Sequence, residues 1–198
     1  LWTATDRQVA IYLVRPATPA ICLYTHYEAA WVRALSADDR LLALGHSEHG
    51  DSRHPAVRIL DTQGDVIKEL WDGPGYGLWA TAWSPLAGDL RLLVQHQRHD
   101  LLAPLIWDIA TGDIIEIPVQ LPGEVEASWY PDAQALLLRH SSHGRTELYR
   151  FDLQQCRLER FPTAAGTIPA ALVRPDGEVW YTWSHSAAPM QLRADAQI

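Results

Sequence analysis

The sequence predicts an all-β fold assembled from repeated four-stranded antiparallel units, and three observations carry that expectation. The first is a recurrence in which an apolar strand, a turn and a second apolar strand follow one another four times. The pairs are Trp31 to Ser36 before Arg40 to Leu44, Trp79 to Ser84 before Leu90 to Val94, Ala127 to Tyr130 before Ala135 to Leu138, and Ala171 to Arg174 before Val179 to Trp183. Ser36, Ser84, Tyr130 and Arg174 stand in one phase, 48, 46 and 44 residues apart. The second is an apolar residue followed by Asp at the end of a third strand, Leu60-Asp61, Trp107-Asp108 and Phe151-Asp152, at intervals of 47 and 44 residues. The third is turn chemistry. Pro131-Asp132 and Pro175-Asp176-Gly177 lie between the first two strands of their units, where Pro fixes φ, Asp bonds back to the backbone and Gly177 tolerates a positive φ.

After each strand-ending Asp a turn segment, Thr62-Gln63-Gly64, Thr111-Gly112 or Gln154-Gln155, leads to a fourth strand. Four short strands in a period of about 45 residues is the arithmetic of a β-propeller blade. A β-sandwich has no reason to keep such a repeat, and no window of helical periodicity is long enough for an α/β fold. The register places complete blades at about 31–70, 79–118 and 125–161, with partial blades at 1–24 and 168–198. Residues 8–24 read as the third and fourth strands of an earlier blade, and 168–193 as three strands of a later one. Either these ends complete one another in a composite blade, or the chain is an open arc that self-associates through unpaired blade edges. A third strand at both ends would be redundant in a composite blade, which favours the arc.

Composition bounds the function. The chain of 198 residues has 47% hydrophobic residues and nine Trp, enough to fill a large core. Its net charge is −8, and its cations are dispersed Arg residues plus a single Lys68, so it lacks the basic stripe that counterion release on a nucleic acid requires. The longest apolar runs, such as Leu101 to Ile106 and Ala135 to Leu138, are far short of a membrane helix. No basic region followed by an apolar run opens the chain, so no signal peptide is read and a cytoplasmic location is expected. Cys22 and Cys156 are too few for a disulfide scaffold and fit reduced core thiols.

Eight of nine histidines, among them His185, fall in the links between second and third strands, links that alternate turns of a meander return to one face. Three His-x-x-His pairs, 46/49, 96/99 and 140/143, lack a helix, a Cys or a carboxylate at metal spacing. They read as polar residues where a strand gives way to a solvated loop, and neither a metal site nor a cofactor is expected. The candidate functional residues are those decorating this face: His46, Glu48, His49, Asp51, Arg53, His54, His96, Arg98, His99, His140, His143 and Arg145. They would meet a second domain or guide peptide ends. Trp79, Trp83, Trp129 and Trp183 recur at inner-strand phases and are expected to wedge between blades as core. Asp61, Asp108 and Asp152 read as turn formers rather than paired catalytic acids. Gly73-Pro74-Gly75-Tyr76-Gly77 lacks the Gly-Lys-Ser/Thr ending of a phosphate loop and reads as a connection between blades.

Several strings carry a resemblance: His46-Ser-Glu-His-Gly-Asp-Ser-Arg-His-Pro55, Leu70-Trp-Asp-Gly-Pro-Gly75, Trp83-Ser-Pro85, Leu105-Ile-Trp-Asp108, Ser128-Trp-Tyr-Pro-Asp132 and Arg174-Pro-Asp-Gly-Glu-Val-Trp-Tyr181. Together they resemble the amino-terminal propeller of bacterial prolyl oligopeptidase-family serine peptidases, with the acylaminoacyl-peptidase and dipeptidyl-peptidase-like branch fitting best. The resemblance covers nearly the whole chain. It implies a separate α/β-hydrolase domain with a Ser in a Gly-x-Ser-x-Gly elbow and later Asp and His. It also implies peptide substrates, and a propeller that caps the active site and admits short peptides while excluding folded proteins. The elbow itself is absent here. Its nearest string, Gly45-His46-Ser47-Glu48-His49, has His where the last Gly must sit. No catalytic residue is therefore transferred, and this chain alone is expected to be inactive. The alternative reading is a stand-alone propeller that binds a protein partner through its His-rich loops. A true WD-repeat protein fits less well, because the constant element beside Trp107-Asp108 is any apolar residue before Asp.

Overall fold

The structure, a computed structural model, describes residues 2–5 and 8–195. Among them every regular element is a β-strand, and the strands form five separate antiparallel sheets. The first sheet is β1 (Trp2–Thr5), β2 (Gln8–Leu13) and β3 (Ile21–His26). The second is β4 (Ala30–Leu35), β5 (Leu41–His46), β6 (Ala56–Asp61) and β7 (Val66–Leu70). The third is β8 (Leu78–Trp83), β9 (Arg91–His96), β10 (Ala103–Asp108) and β11 (Ile114–Glu116). The fourth is β12 (Glu124–Trp129), β13 (Ala135–Ser142), β14 (Arg145–Asp152) and β15 (Arg157–Arg160). The fifth is β16 (Ala171–Val173), β17 (Val179–His185) and β18 (Ala188–Asp195). Strands follow chain order within every sheet, as in the blades of a β-propeller, and the sheets do not close into a barrel.

The turn chemistry works as its residues require. Ser36, Ser84, Tyr130 and Arg174 each follow a first strand, and each N–H closes the hairpin onto the second strand or its start, at 2.8 to 3.0 Å from Leu41, Arg91, Ala135 and Glu178 carbonyls. Gly177 adopts φ +86° to complete its turn, and its N–H bonds the Arg174 carbonyl at 2.9 Å. The Oδ1 atoms of Asp61, Asp108 and Asp152 each accept backbone N–H groups from the turn that follows. These aspartates are thus committed to folding.

Burial follows the period of two, with both faces of the middle sheets covered. In β9, Leu92 and Val94 point toward the second sheet with Ala43, Val57 and Ile59, whereas Leu93 points toward the fourth with Trp129, Leu136 and Leu138. Ile106 joins Leu93, and Leu105 and Trp107 join Leu92. Each such fully buried aliphatic side chain contributes about 1.5–3 kcal/mol of transfer free energy. The first strand of each later sheet lies against its predecessor, β8 on β4, β5 and β6, and β12 on β8, β9 and β10. Indole N–H groups tie the same contacts: Trp83 Nε1 donates to the Ala34 carbonyl and Trp129 Nε1 to the Ala82 carbonyl, both at 3.2 Å.

Three expectations change. Trp83, Trp129 and Trp183 are buried as expected, but Trp79 is only half-buried, because its neighbours in β8, Leu78 and Ala80, are the side chains that enter the core. Cys22 and Cys156 are exposed rather than core thiols, since Cys22 faces away from buried Leu23 and Cys156 occupies the β14–β15 turn with φ +51°. The amino-terminal sheet gains β1 ahead of the two strands read from residues 8–24. That sheet and the fifth share no strand pairing, so the composite blade does not form among the described residues.

Candidate functional site

The links after β5, β9 and β13 leave the same end of their sheets, and each touches the approach to the next sheet. The Leu78 N–H bonds the Pro55 carbonyl and the Val125 N–H the Leu102 carbonyl, both at 2.9 Å, and the Thr146 N–H bonds the Gly166 carbonyl at 2.9 Å. The His-bearing segments are therefore seams between sheets as well as loops.

The strand-end histidines, expected where strands give way to solvated loops, differ from that expectation: His46, His96 and His140 are buried. The reason is local. An imidazole at a strand end can cap its own turn, and Nδ1 of His46 accepts the Glu48 N–H at 3.4 Å while Nδ1 of His96 accepts the Arg98 N–H at 3.3 Å. His26 and His185 repeat the bond with Glu28 and Ala187, each at 3.0 Å. His140 differs, because Nε2 donates to the Pro122 carbonyl at 2.7 Å and Nδ1 is left without a partner.

A charged cluster forms around the first pair. Arg58 on β6 and Glu69 on β7 are register partners, and Arg58 is paired to Leu44, so Arg58, Glu69 and His46 project from one face of the second sheet. Arg58 grips Glu48 through two bonds of 2.6 and 2.9 Å, and its Nε and Nη2 reach Glu69 Oε2 at 2.6 and 2.5 Å. Tyr24 from β3 donates to Glu48, and His49 bonds Glu69 and stacks on Trp71 at 4.7 Å between ring centroids. Burial alone would raise the Glu48 carboxyl, but the bonds from Arg58 and Tyr24 outweigh it and hold Glu48 down at about 2. Burial, joined by the Glu48 charge, pushes the Tyr24 hydroxyl well up. Burial, reinforced by the Arg58 charge, lowers His46, which keeps its ring neutral.

The other candidates gather into smaller groups. Arg98 clamps Asp72 with bonds of 2.7 and 2.8 Å and also binds Glu116 on β11. His140 lies 3.7 Å from Glu147, which accepts the Tyr149 hydroxyl at 2.6 Å and pairs with Arg160 at 2.6 Å. Asp51 Oδ1 accepts the Arg53 and His54 N–H groups at 2.7 and 3.1 Å, which makes that trio a loop turn. His99, His143 and Arg145 are exposed. Ser47, the serine of the elbow-like string, is buried and donates to the Ala29 carbonyl at 3.2 Å, so it is no nucleophile.

Tyr24, Arg58, Glu69, Asp72, Glu116 and Glu147 were not singled out in the sequence, although they hold these groups together. One signal was present: Glu69 and Glu116 stand at the ends of the fourth strands of successive sheets, next to last and last, 47 residues apart, the repeat interval itself.

Among the described residues no helix is long and apolar enough to cross a membrane. No family model matches the chain, and no curated protein matches it in sequence. Solved structures do. A structure from a study of two prolyl endopeptidases superposes with a TM-score of 0.73 at 14% identity, covering 98% of this chain and 30% of that one. Prolyl oligopeptidase B from Galerina marginata gives 0.73 at 11% identity, covering 96% of this chain and 28% of that one. TolB from Acinetobacter baumannii gives 0.65 at 18% identity over 96% of this chain, which spans 50% of the TolB chain. At these identities the likeness establishes the β-propeller fold.

Proposed function

We propose that this chain is the non-catalytic propeller segment of a prolyl oligopeptidase-family serine peptidase, where it caps an α/β-hydrolase domain and filters peptide substrates. The observation that carries the reading is the superposition of 96–98% of the chain on the prolyl oligopeptidase and endopeptidase structures. The chemistry of the seam face agrees with a passive role. Glu48, Glu69, Arg58 and Arg98 are engaged in internal pairs, while exposed Asp51, Arg53, His99, His143 and Arg145 remain to face a second domain or the ends of a peptide.

The test labels the product of the complete reading frame with a serine-directed fluorophosphonate. Labelling of a Ser outside these 198 residues, with short peptides cleaved and folded proteins spared, is the expected result. A product that takes no label overturns the reading. The 198-residue chain alone is expected to leave acyl-aminoacyl chromogenic substrates intact, and inhibitor-sensitive turnover by it would count against a non-catalytic role. The comparable likeness to TolB favours a second reading, a propeller that binds a protein partner with no hydrolase attached. An unlabelled product that captures a partner through the seam face would support that reading.

A further inference from the structure

We propose that His46, His49 and Glu69 form a three-ligand site for a divalent transition-metal ion of the zinc type, with water completing a tetrahedron. The inference is independent of the peptidase reading. It begins with an anomaly: His46 is 0% exposed, and its Nε2 has no hydrogen-bond partner. A buried ring nitrogen left unpaired is destabilising, so its surroundings need an explanation. That nitrogen faces Glu69 Oε2 at 3.5 Å, and His49 Nε2 contacts the other oxygen of the same carboxylate. One ligand atom from each residue lies within 4.8 Å of the others.

Two imidazoles and a carboxylate are a donor set that suits zinc, with bonds of about 2.0–2.2 Å. In the sequence the His-x-x-His pair has neither a helix nor a Cys or carboxylate at metal spacing to support a metal. Glu69 supplies the carboxylate across the sheet, 20 residues further along the chain. Drawing the atoms into a coordination sphere asks for movement of His49, which sits in a turn with a side chain 35% exposed, and of Glu69 at the outer strand of its sheet. His46 can stay in place.

The tautomer must also change. With Nδ1 accepting the Glu48 N–H, neutral His46 carries its proton on Nε2. On binding, the Nε2 lone pair turns to the metal and the proton resides on Nδ1. Nδ1–H then gives up the Glu48 N–H bond and turns as a donor toward the Glu48 carboxylate, whose Oε1 lies 3.9 Å away. A carboxylate behind a metal-bound histidine fixes the ring and raises its basicity. Arg58 neutralises one of the two carboxylates, so the cluster keeps one net negative charge toward the cation. The pair His96/His99 has no such arrangement: among the described residues only His46, His49 and Glu69 bring three such ligand atoms within reach of one another.

The experiment uses the 198-residue chain stripped with a chelator. Zn²⁺ is titrated by calorimetry, Co²⁺ by its visible ligand-field bands, and binding near Trp71 by quenching of its fluorescence with Ni²⁺. The expected result is one equivalent of metal, four-coordinate Co²⁺ bands, and at least about a tenfold loss of affinity in both His49→Ala and Glu69→Gln. His99→Ala should bind as the unaltered chain does. His49→Ala changes an exposed turn, and circular dichroism verifies that Glu69→Gln remains folded. If Glu69→Gln fails to fold, Glu69→Asp takes its place with the same expectation. Absence of binding, unaltered affinity in either ligand variant, or an equal loss in His99→Ala overturns the proposal.

Discussion

His143 adopts φ +49° and Gly144 φ +72°, so the two-residue link between paired Ser142 and Arg145 is a hairpin with both central residues left-handed. Asn is the preferred residue at the first such position, because its short polar side chain tolerates this conformation. His143→Asn should therefore stabilise the chain by about 0.5 kcal/mol, read as a higher urea midpoint; a lower midpoint contradicts the turn assignment. His96 carries a pH dependence. Burial, with the Arg98 charge added, lowers its pKa from the ordinary 6.5, so protonation is harder in the folded chain than in the unfolded one. Stability is then complete above about pH 6.5 and is lost as the pH falls below that value toward the lowered folded pKa. Urea unfolding between pH 7.5 and 5 should show a shallower decline in His96→Gln. An unchanged slope in that variant would remove His96 as the source.

Elements are joined by an indole relay. β8 donates from Trp83 to the second sheet and accepts from Trp129 at the adjacent Ala82, so one strand serves both interfaces. Leu92 and Leu93 likewise send neighbouring side chains of β9 into opposite cores. Trp83→Phe and Trp129→Phe should each cost about 1–3 kcal/mol, from a lost hydrogen bond, an unpaired carbonyl and a smaller ring. Because the third sheet belongs to both cores, each variant should shift a single transition without changing its denaturant slope. A second transition, or a reduced slope, would show that the sheets unfold independently.

At the scale of the whole molecule, the outer strands among the described residues present edges. β18 is an outer strand whose Met190 and Leu192 are 62% and 65% exposed, and unpaired strand edges template association. Concentration-dependent self-association is expected by sedimentation velocity, weakened when Met190 and Leu192 are both replaced by Lys. A monomer at every accessible concentration would show that this edge attracts no second copy.

The local parts of this architecture were legible in the sequence because they are local in physics. The phase of Ser36, Ser84, Tyr130 and Arg174 marks hairpin bonds closed within four to seven residues, and Asp61, Asp108 and Asp152 bond N–H groups at most four residues away. Period and turn chemistry therefore determined the strands of the repeated sheets, their order and the propeller class, but not β1, which lies ahead of the repeat marks. The candidate site was only half visible. His46, Glu48 and His49 lie on one stretch of chain, but whether they face water, one another or a partner depends on strand register and sheet packing. Only the tertiary structure decided that His46 is buried, that Arg58 and Glu69 arrive from β6 and β7 to meet it, and that Tyr24 comes from another sheet. The physical reason is that a side chain's electrostatic surroundings are set by groups a few ångströms away in space, and across a sheet those groups are 10 to 24 residues away in sequence.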